Sequence, residues 1–356
     1  MRRILQFIIF ISLFLSLSIL FNIYIFYHMS FMLRLPHNIW FWLLLIFSSA
    51  SFFIAMFLES IFDNIISRFI VIVSSIWLGG LFIILFILFG YDILRFFIPI
   101  HPYTAGPVII FLVIIFVSAG IINAQFIRIR KIRIQSYKLP KELKIVHLSD
   151  LHLGAIHGSG YLRRIVRKVS ALKPDLVLIT GDLVDGPQHY SNDSFAPLNE
   201  LDAPIFFTTG NHEYYAGLDE VMDIIKNTKI KPLRNQKIDI NGIQLIGVDN
   251  GGGRNYIDEI LKNIPMDQNK FKILMYHQPV PIETINKYGV DLMLTGHTHG
   301  GQFFMFVLFA RLIWKRINGL YKYRNTYLFA SPGTGTWGPP IRLGTNSEII
   351  MLSSVN

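Results

Sequence analysis

The stretch KIVHLSDLHLG, residues 144–154, decides the fold because a buried strand in it runs directly into polar side chains suited to binding a metal. Leu143 to Leu148 is an apolar run with the length of a short strand. Asp150 and His152 follow it, separated by one residue. If the backbone stays extended there, positions i and i+2 face the same side and both side chains reach one ion. The stretch therefore predicts a strand with a metal site at its carboxyl end.

Four further polar motifs each follow a predicted strand in the same way. The predicted strands run from Asp175 to Thr180, Ile205 to Thr209, Phe271 to Tyr276 and Asp291 to Thr295. The motifs that follow them are Gly181-Asp182-Leu183-Val184-Asp185, Gly210-Asn211-His212-Glu213, His277 and Gly296-His297-Thr298-His299. In layered α/β folds, ligands bind at the carboxyl ends of the strands. The recurrence predicts that these side chains meet at one rim.

Taken singly, each motif has an ordinary structural explanation. Asn211 suits a helix cap, and a lone His277 is more often a core histidine than a ligand. The two imidazoles of Gly-His-Thr-His-Gly, residues 296–300, are harder to explain by packing. The ordered set, with each member at a strand end, favours a metal site in which the Asp182 carboxylate bridges two cations.

The composition narrows both the metal and the partners. The 356 residues include no cysteine, which excludes disulfides and thiolate ligands. Oxygen and imidazole donors suit Mn²⁺, Fe²⁺ or Fe³⁺, or Zn²⁺. The net charge of +10 fits an acidic partner, but no run of Lys and Arg interleaved with aromatic residues stands out. We therefore expect the lipid bilayer as a partner, predict no nucleic-acid partner, and find no sequence feature that indicates an obligate protein partner.

The first third of the chain is apolar enough to lie in a membrane. Apolar stretches occur near residues 4–27, 38–58, 69–90 and 107–127, and each has about the 20 residues that a spanning helix needs. Pro99, Pro102, Gly106 and Pro107 indicate a break before the last stretch. The first stretch exceeds a signal-peptide core and lacks a small-residue cleavage site, so we expect a retained helix.

The distribution of Lys and Arg predicts the orientation in the cell membrane. Two arginines precede the first span, and each of the next three loops has one arginine. A basic stretch follows the fourth span and contains Arg128, Arg130, Lys131, Arg133, Lys138, Lys141 and Lys144. The positive-inside rule then places both termini, and with them the catalytic domain, in the cytoplasm. The basic stretch fixes topology alone, or it also holds the domain against anionic lipid.

In order and context, these motifs resemble those of the calcineurin-like metallophosphoesterase superfamily over roughly residues 140–356. The segments KIVHLSDLHLG, LVLITGDLVDG, GNHEYYAG, GHTHGGQ and GTGTWGPPIRLG are similar to the membrane-associated bacterial branch, which includes transmembrane metallophosphoesterases. The resemblance implies an α/β fold, a four-layer α/β/β/α sandwich, preceded here by an α-helical membrane domain of four transmembrane helices. We expect the membrane domain at residues 1–127, a basic juxtamembrane strand or linker at 128–140, and the catalytic domain at 141–356.

The resemblance also implies roles for individual residues at a binuclear centre of two divalent metal ions. It implies that one metal is held by Asp150, His152, Asp182 and His299, and the other by Asp182, Asn211, His277 and His297. It implies that His212 is catalytic and meets the leaving group or a phosphoryl oxygen. The alternative is that His212 only orients Asn211. Asp185 and Glu213 are expected to support the ligands or shape turns.

One segment departs from the family pattern. Phe303 to Phe309 is a run of aromatic and aliphatic residues, and Arg311, Trp314, Lys315 and Arg316 follow it. The run is too short to span a membrane. It lies in the membrane interface with its basic end towards the headgroups, or it is a buried helix with a basic exposed end. The sequence leaves both open.

The function that the residues favour is hydrolysis. We expect a membrane-anchored hydrolase that cleaves a phosphoester or pyrophosphate bond, in a lipid or lipid-linked substrate, by attack of a metal-bridging hydroxide. One alternative is a phosphodiesterase or phosphatase that acts on a soluble nucleotide-like substrate. The other is a non-catalytic sensor or scaffold of the membrane, whose metals organise the fold or bind a signal.

Overall fold

Long apolar helices precede the mixed α/β part of the chain, as the sequence predicted. The computed structural model describes residues 2–140, 142–188, 190–251 and 255–355. Lys141 of the basic stretch lies outside these residues. The chain divides into two units, Met1–Ile122 with Gly338–Ile341, and Asn123–Trp337 with Arg342–Asn356. The division falls inside a helix, before the boundaries that we expected at 127 and 140.

Within the described residues, four helices are long and apolar enough to cross a membrane. They are α1 (Arg2–Leu33), α2 (Ile39–Phe62), α3 (Ile65–Leu94) and α4 (Pro102–Gln125). The Asn38 side chain caps α2 by accepting hydrogen bonds from the Trp40 and Phe41 amides. The predicted number of spans is confirmed.

The proline-rich segment before the fourth span does not break the chain where we expected. Helix α4 begins at Pro102 and continues through Pro107. A proline at the first helical position sacrifices no hydrogen bond, because that amide has no partner inside the helix. Membrane helices also tolerate an internal proline such as Pro107. The predicted start near residue 107 is therefore wrong by about one turn.

A buried polar contact joins three of the membrane helices. The Ser48 hydroxyl in α2 donates to the Asn22 side chain in α1 and accepts from the Trp77 indole in α3, with a nitrogen–oxygen distance of 2.7 Å for the latter. Interhelical hydrogen bonds of this kind contribute about 0.6 kcal/mol on average. The contact sets the register of the helices rather than supplying most of their stability.

The strands in the described part of the chain form two mixed sheets. The first sheet has the order β1-β12-β2-β3-β4-β5 and the second the order β10-β11-β9-β8-β7-β6. The strands are β1 (Ile127–Gln135), β2 (Lys144–Leu148), β3 (Leu176–Thr180), β4 (Ile205–Thr208), β5 (Ile230–Pro232), β6 (Gln236–Ile240), β7 (Ile243–Gly247), β8 (Phe271–Met275), β9 (Leu292–Thr295), β10 (Gly319–Tyr323), β11 (Thr326–Ala330) and β12 (Ser347–Val355). Strands β2, β3 and β4 are parallel neighbours, and so are β7, β8 and β9.

Seven further helices lie in the described part of the chain that follows α4. They are α5 (Ser159–Leu172), α6 (Asn192–Phe195), α7 (Asn211–Ala216), α8 (Leu218–Ile225), α9 (Tyr256–Asn263), α10 (Ile282–Asn286) and α11 (Val307–Ile313), with 3-10 turns at Ala196–Glu200, His299–Gly301 and Phe304–Phe306. One core packs α5 and α8 on the first sheet, a second lies between the sheets, and a third packs α9 and α10 on the second sheet. These layers form the α/β/β/α sandwich that the sequence predicted.

The basic stretch after the fourth span is a strand of this sandwich. All nine residues of β1 pair in parallel with β12, from Ile127 opposite Ser347 to Gln135 opposite Val355. The apolar residues Ile132 and Ile134 are buried, whereas Arg128 and Arg133 are exposed. The pairing fastens the start of the unit to its last strand.

Candidate metal centre

The two sheets bring five strand ends together. Strands β2, β3 and β4 of the first sheet and β8 and β9 of the second each end two or three residues before a predicted ligand. Every one of these strands is buried along its last four residues. Because these strand ends are buried, the direction in which the chain exits each sheet is fixed. The side chains that follow are therefore aimed by the sheets and not by long loops.

Three groups of potential metal ligands lie at this rim, and the first two share His152. The groups are Asp150, His152 and His299; His152, Asp185 and His212; and Asp182, His277 and His297, with ligand atoms within 4.8 Å of one another in each group. His299 belongs to the first group and His297 to the third. The family resemblance likewise implied that these two histidines bind different metals. The assignment of these residues as metal ligands remains a prediction.

The Asp182 carboxylate lies between the groups. Its Oδ2 atom is 3.1 Å from His277 Nε2, 3.7 Å from His152 Nε2 and 4.0 Å from His212 Nε2. Its Oδ1 atom accepts a hydrogen bond from the His212 amide at 3.0 Å. One carboxylate thus reaches imidazoles of all three groups, which is the position that a bridging ligand requires.

Hydrogen bonds fix which nitrogen of each imidazole faces the centre. His277 Nδ1 donates to the Thr180 carbonyl at 2.8 Å, and His152 Nδ1 donates to Asp185 Oδ1 at 3.1 Å. The neutral form of each ring then turns its Nε2 lone pair towards Asp182. Partners of this kind orient metal-binding histidines and raise their basicity. Asp185 orients His152 through this hydrogen bond, but it also belongs to one of the three ligand groups, so its supporting role stays a prediction.

The donor set fits divalent cations. In the described part of the chain, Asp150 Oδ2 and Asn211 Oδ1 are buried and have no hydrogen-bond partner. Leaving a buried polar group unpaired costs about 1–3 kcal/mol. A cation satisfies acceptors of this kind at once, and the oxygen and imidazole donors suit Mn²⁺, iron or Zn²⁺.

The electrostatics of the cluster also call for positive charge. Burial alone would raise the pKa of Asp182, but the charges of His277, His212 and His152 and the hydrogen bond of His277 together outweigh burial and lower that pKa well below its ordinary value. Burial would lower the pKa of His277, yet the charge and hydrogen bond of Asp182 raise it to about 9. Burial and the charge of His277 lower the pKa of His297 to about 3. His277 therefore holds a proton where a cation is absent, and His297 stays neutral.

The backbone at the ligands differs from the extended form that we assumed. Asp150 has φ 53° and His152 has φ 47°, so both are left-handed, and the argument from an extended i, i+2 pair was wrong. Asp182, His297 and His299 have φ 51°, 72° and 49°. Non-glycine residues held in this region cost about 1–3 kcal/mol each and cluster at functional sites.

Two glycines allow the carboxylates to approach the neighbouring strand ends. A Cβ on Gly210 would lie 2.1 Å from Asp182 Oδ1, and one on Gly296 would lie 2.2 Å from Asp150 Oδ2. Any side chain at these positions overlaps a predicted ligand. The glycines of the motifs are thus required by close packing against carboxylates.

His212 faces the centre from the start of α7. Its Nδ1 donates to the Asp185 carbonyl, so Nε2 is the atom that points towards Asp182. Burial lowers the pKa of His212, and the charge of Asp182 opposes this effect. The exposed rings of Tyr215 and Trp337 lie 5.2 and 6.5 Å from its ring. His212 therefore stands between the buried ligands and the solvent-facing mouth.

Glu213 holds the loops of the first sheet. Its buried carboxyl group accepts hydrogen bonds from the amides of Asp182, Leu183, Val184 and Gly210, at 2.6–3.3 Å. Burial and the charge of Asp182 raise its pKa to about 7. Glu213 belongs to none of the ligand groups found among the described residues, which agrees with the supporting role predicted for it.

Arg342 is a site residue that the sequence analysis did not single out. Its fully buried guanidinium donates to the carbonyls of Pro332, Gly335 and His299 at 2.7, 2.5 and 3.4 Å and to the Thr345 hydroxyl at 3.1 Å. Burial lowers the pKa of Arg342 to about 10, so it stays charged at neutral pH. The one feature of the sequence that could have indicated this role is that Arg342 is the single charged residue in the segment GTGTWGPPIRLG.

Two other histidines without a predicted role are buried. His147 lies 2.7 Å from the Thr180 hydroxyl and His157 lies 2.9 Å from the Thr336 hydroxyl. His189, the third such histidine, lies outside the described residues. His147 and His157 therefore pack against strand ends and loops around the centre without joining the ligand groups.

This fold and this centre define a metallophosphoesterase. The family model described as calcineurin-like phosphoesterase matches residues 143–301. A metallophosphoesterase of Aquifex aeolicus is 36% identical over 229 residues, which cover 60% of this chain and 87% of that protein. The chain belongs to the calcineurin-like metallophosphoesterase family, whose members bind divalent metals.

Relatives with membrane segments are also similar to this chain. A Bos taurus transmembrane protein with a metallophosphoesterase domain is 34% identical over 235 residues, which cover 59% of this chain and 52% of that protein. A metallophosphoesterase of Campylobacter jejuni is 38% identical over 223 residues, covering 60% of each chain. The chain spans 60% of the length of the first three curated relatives that it matches. With its four spans, it is a membrane protein.

Substituting Gly210 by alanine should damage the centre by overlap alone. Because Gly210 has an ordinary negative φ, the new Cβ introduces only a collision with Asp182. We expect overpacking to lower the unfolding free energy by about 1–3 kcal/mol and bound metal to fall. Elemental analysis and thermal unfolding measure both. The control Gly160→Ala, at an open position in α5, should retain the metal, and equal metal content in both variants would contradict the argument.

Metal binding should release a proton from His277. The raised pKa keeps this ring protonated below about pH 9, and a metal needs its neutral nitrogen. Apparent affinity should therefore rise with pH by up to about tenfold per unit between neutral pH and about 9. Titration calorimetry in buffers of different ionisation enthalpy counts the protons. His277→Gln should lose the proton and the control His101→Gln should keep it; binding heats that do not vary between buffers would refute the assignment.

Removing the Arg342 guanidinium should loosen the loop that carries His299. Losing a partner that supports a ligand typically lowers metal affinity about 10–100-fold, and we expect that range for Arg342→Met. Arg342→Lys should retain part of the affinity, because it keeps the charge but not the fork of donors. Metal titration of the purified chain measures the effect. The exposed Arg324→Met is the control, and an affinity equal to wild type in Arg342→Met would disprove this role.

Proposed function

We propose that the chain is a membrane-anchored hydrolase that uses two divalent metal ions to cleave a phosphoester or pyrophosphate bond. The observation that carries this proposal is the position of Asp182, whose carboxylate reaches imidazoles of all three ligand groups. Membership of the calcineurin-like phosphoesterase family supports it. The residues that would hold the metals are Asp150, His152, Asp182, Asn211, His277, His297 and His299.

The metals and the protein would contribute different parts of the reaction. Bound divalent cations supply a water of lowered pKa and neutralise charge on phosphoryl oxygens. His212 is placed to donate from Nε2, because its Nδ1 already donates to the Asp185 carbonyl. An anionic phosphoryl group near Nε2 favours the protonated ring and opposes the effect of burial. His212 then gives a proton or a hydrogen bond to the leaving oxygen.

A lipid or lipid-linked phosphate is the substrate class that we favour. Four spans keep the enzyme in a membrane, where amphiphilic phosphates are concentrated. The rings of Tyr215 and Trp337 beside His212 add apolar surface to the mouth of the centre. We place the catalytic unit in the cytoplasm because the basic residues of β1 follow an even number of spans. Comparing lipid extracts incubated with and without the enzyme would identify the substrate.

Two substitutions test the chemistry. His212→Ala should keep its metal and lose about 10²–10⁴-fold in turnover, the usual contribution of a general acid. Asp182→Ala should lose both metal and activity because it removes the bridging ligand. The assay uses the full chain with Mn²⁺ against an aryl phosphate, an aryl phosphodiester and a lipid pyrophosphate. Asp223→Ala, at an exposed carboxylate, is the control.

The same assay separates the alternatives. Turnover by Asp182→Ala equal to that of wild type would sink the proposal. Metal-loaded wild type that is inert towards every phosphorylated substrate class would favour a sensor or scaffold. A preference for water-soluble substrates, unchanged by added lipid, would favour a soluble nucleotide-like substrate.

A further inference from the structure

The segment Phe304–Ile313 exposes apolar side chains outside the membrane helices. It consists of the 3-10 turn Phe304–Phe306 and helix α11, and none of its residues is buried. Leu308, Phe309, Leu312 and Ile313 are 65%, 61%, 75% and 74% exposed. This contradicts one of the two structures that the sequence left open, the buried helix with a basic exposed end.

Both ends of the segment are fixed to the catalytic unit. Phe303 is buried and forms bridges with Leu343 and Gly344. At the other end, Ile317 is buried and its carbonyl accepts a hydrogen bond from the Thr298 hydroxyl at 2.6 Å. The apolar side chains are therefore presented by an ordered backbone. Exposed apolar patches held in this way mark interaction sites for proteins or membranes.

The sequence around the segment carries basic residues. Arg311 and Lys315 are exposed beside the apolar side chains, and Arg316 pairs with Glu283 at 3.0 Å. No acidic residue occurs in the sequence between Asp291 and Glu348, whereas Lys322 and Arg324 follow on the next hairpin. An apolar face bordered by Lys and Arg is the pattern of helices that lie in the interface of anionic membranes.

The segment adjoins the candidate metal centre at both of its ends. The turn His299–Gly301 carries one predicted ligand and directly precedes it. The Trp314 ring, which follows it, lies 5.2 Å from the ring of His297. A surface that binds this segment therefore lies close to two predicted ligands, His297 and His299.

We propose that Phe304–Ile313 docks into the interface of an anionic lipid bilayer, as a helix that enters one leaflet without crossing it. The exposed apolar residues of α11 meet the acyl chains, and Arg311 and Lys315 meet the headgroups. A bilayer fits better than a protein partner, because the same chain has four candidate membrane spans and the sequence from residue 292 to residue 347, which contains the segment, has basic but no acidic residues. The inference concerns where the segment lies and stands whether or not the centre is hydrolytic.

The absence of cysteine makes the test direct. Leu312→Cys and Lys226→Cys each introduce one thiol for a nitroxide label. Leu312 is 75% exposed, and the side chain of Lys226 is 73% exposed. The full chain is reconstituted in phosphatidylcholine liposomes with or without phosphatidylglycerol. Collision rates with oxygen, which concentrates in lipid, and with a water-soluble nickel complex report the surroundings of each label. Metal content confirms that both labelled proteins keep their fold.

We expect the ratio of oxygen to nickel collisions to be several-fold higher at position 312 than at position 226. Phosphatidylglycerol should raise the ratio at position 312, and Lys315→Glu in the same protein should abolish that rise. Equal ratios at the two positions would overturn the proposal, and no response to phosphatidylglycerol would overturn the assignment to an anionic surface. Low collision rates with both reagents, with spin–spin broadening, would show that a second copy of the chain covers the segment instead.

Discussion

The contact between the Asp182 carboxylate and the imidazoles of His277 and His152 is the constraint on which the catalytic unit depends. A buried carboxylate is costly unless positive charge or hydrogen bonds compensate it. Here the neighbouring rings have committed their Nδ1 protons to the Thr180 carbonyl and to Asp185. Beyond the hydrogen bond from the His212 amide, the charge of Asp182 is balanced by protons on the surrounding histidines or by cations. The side chains at the point where the two sheets meet are therefore stabilised by added positive charge.

Two buried side chains of opposite type hold the loops against the strain of this arrangement. The Glu213 carboxyl gathers amides that follow β3 and β4, both in the first sheet. Arg342 gathers carbonyls that follow β9 and β11, both in the second sheet. Each sheet therefore has its own device for keeping left-handed residues in place. The buried cores of the sandwich supply the stability that such backbone strain consumes.

The strands and the polar motifs could be predicted because buried strands are apolar runs and ligands are the polar residues that end them. That rule located the strand ends at Leu148, Thr180 and Thr295 within a residue or two. It missed strands β5, β6 and β10, which are short or half-exposed and have weak apolar runs. It also missed helices α7 and α9, which are only six and eight residues long.

Other features depend on contacts between distant parts of the chain and have no local signal. The left-handed backbone at Asp150 and His152 arises because their amides bond to the carbonyls of Gly181 and Asp182. The role of Arg342 depends on carbonyls from separate loops, so its type and neighbours in sequence reveal nothing about it. Pro107 looked like a helix breaker because a local rule ignores the tolerance of membrane helices for proline.

An apolar segment beside a hydrolytic centre raises the question of water supply, since a site buried in acyl chains would be dry. The length of α11 answers it. Seven helical residues extend roughly 10 Å, and interfacial helices sink only about 5–10 Å into the headgroup and acyl boundary. A helix of this size, docked from outside as we propose, would leave the centre at headgroup depth, where phosphates and water are both present. A longer apolar segment would carry the predicted ligands into the hydrocarbon core of the membrane. A polar segment would not enter the membrane, and the centre would then not reach an amphiphilic phosphate held there.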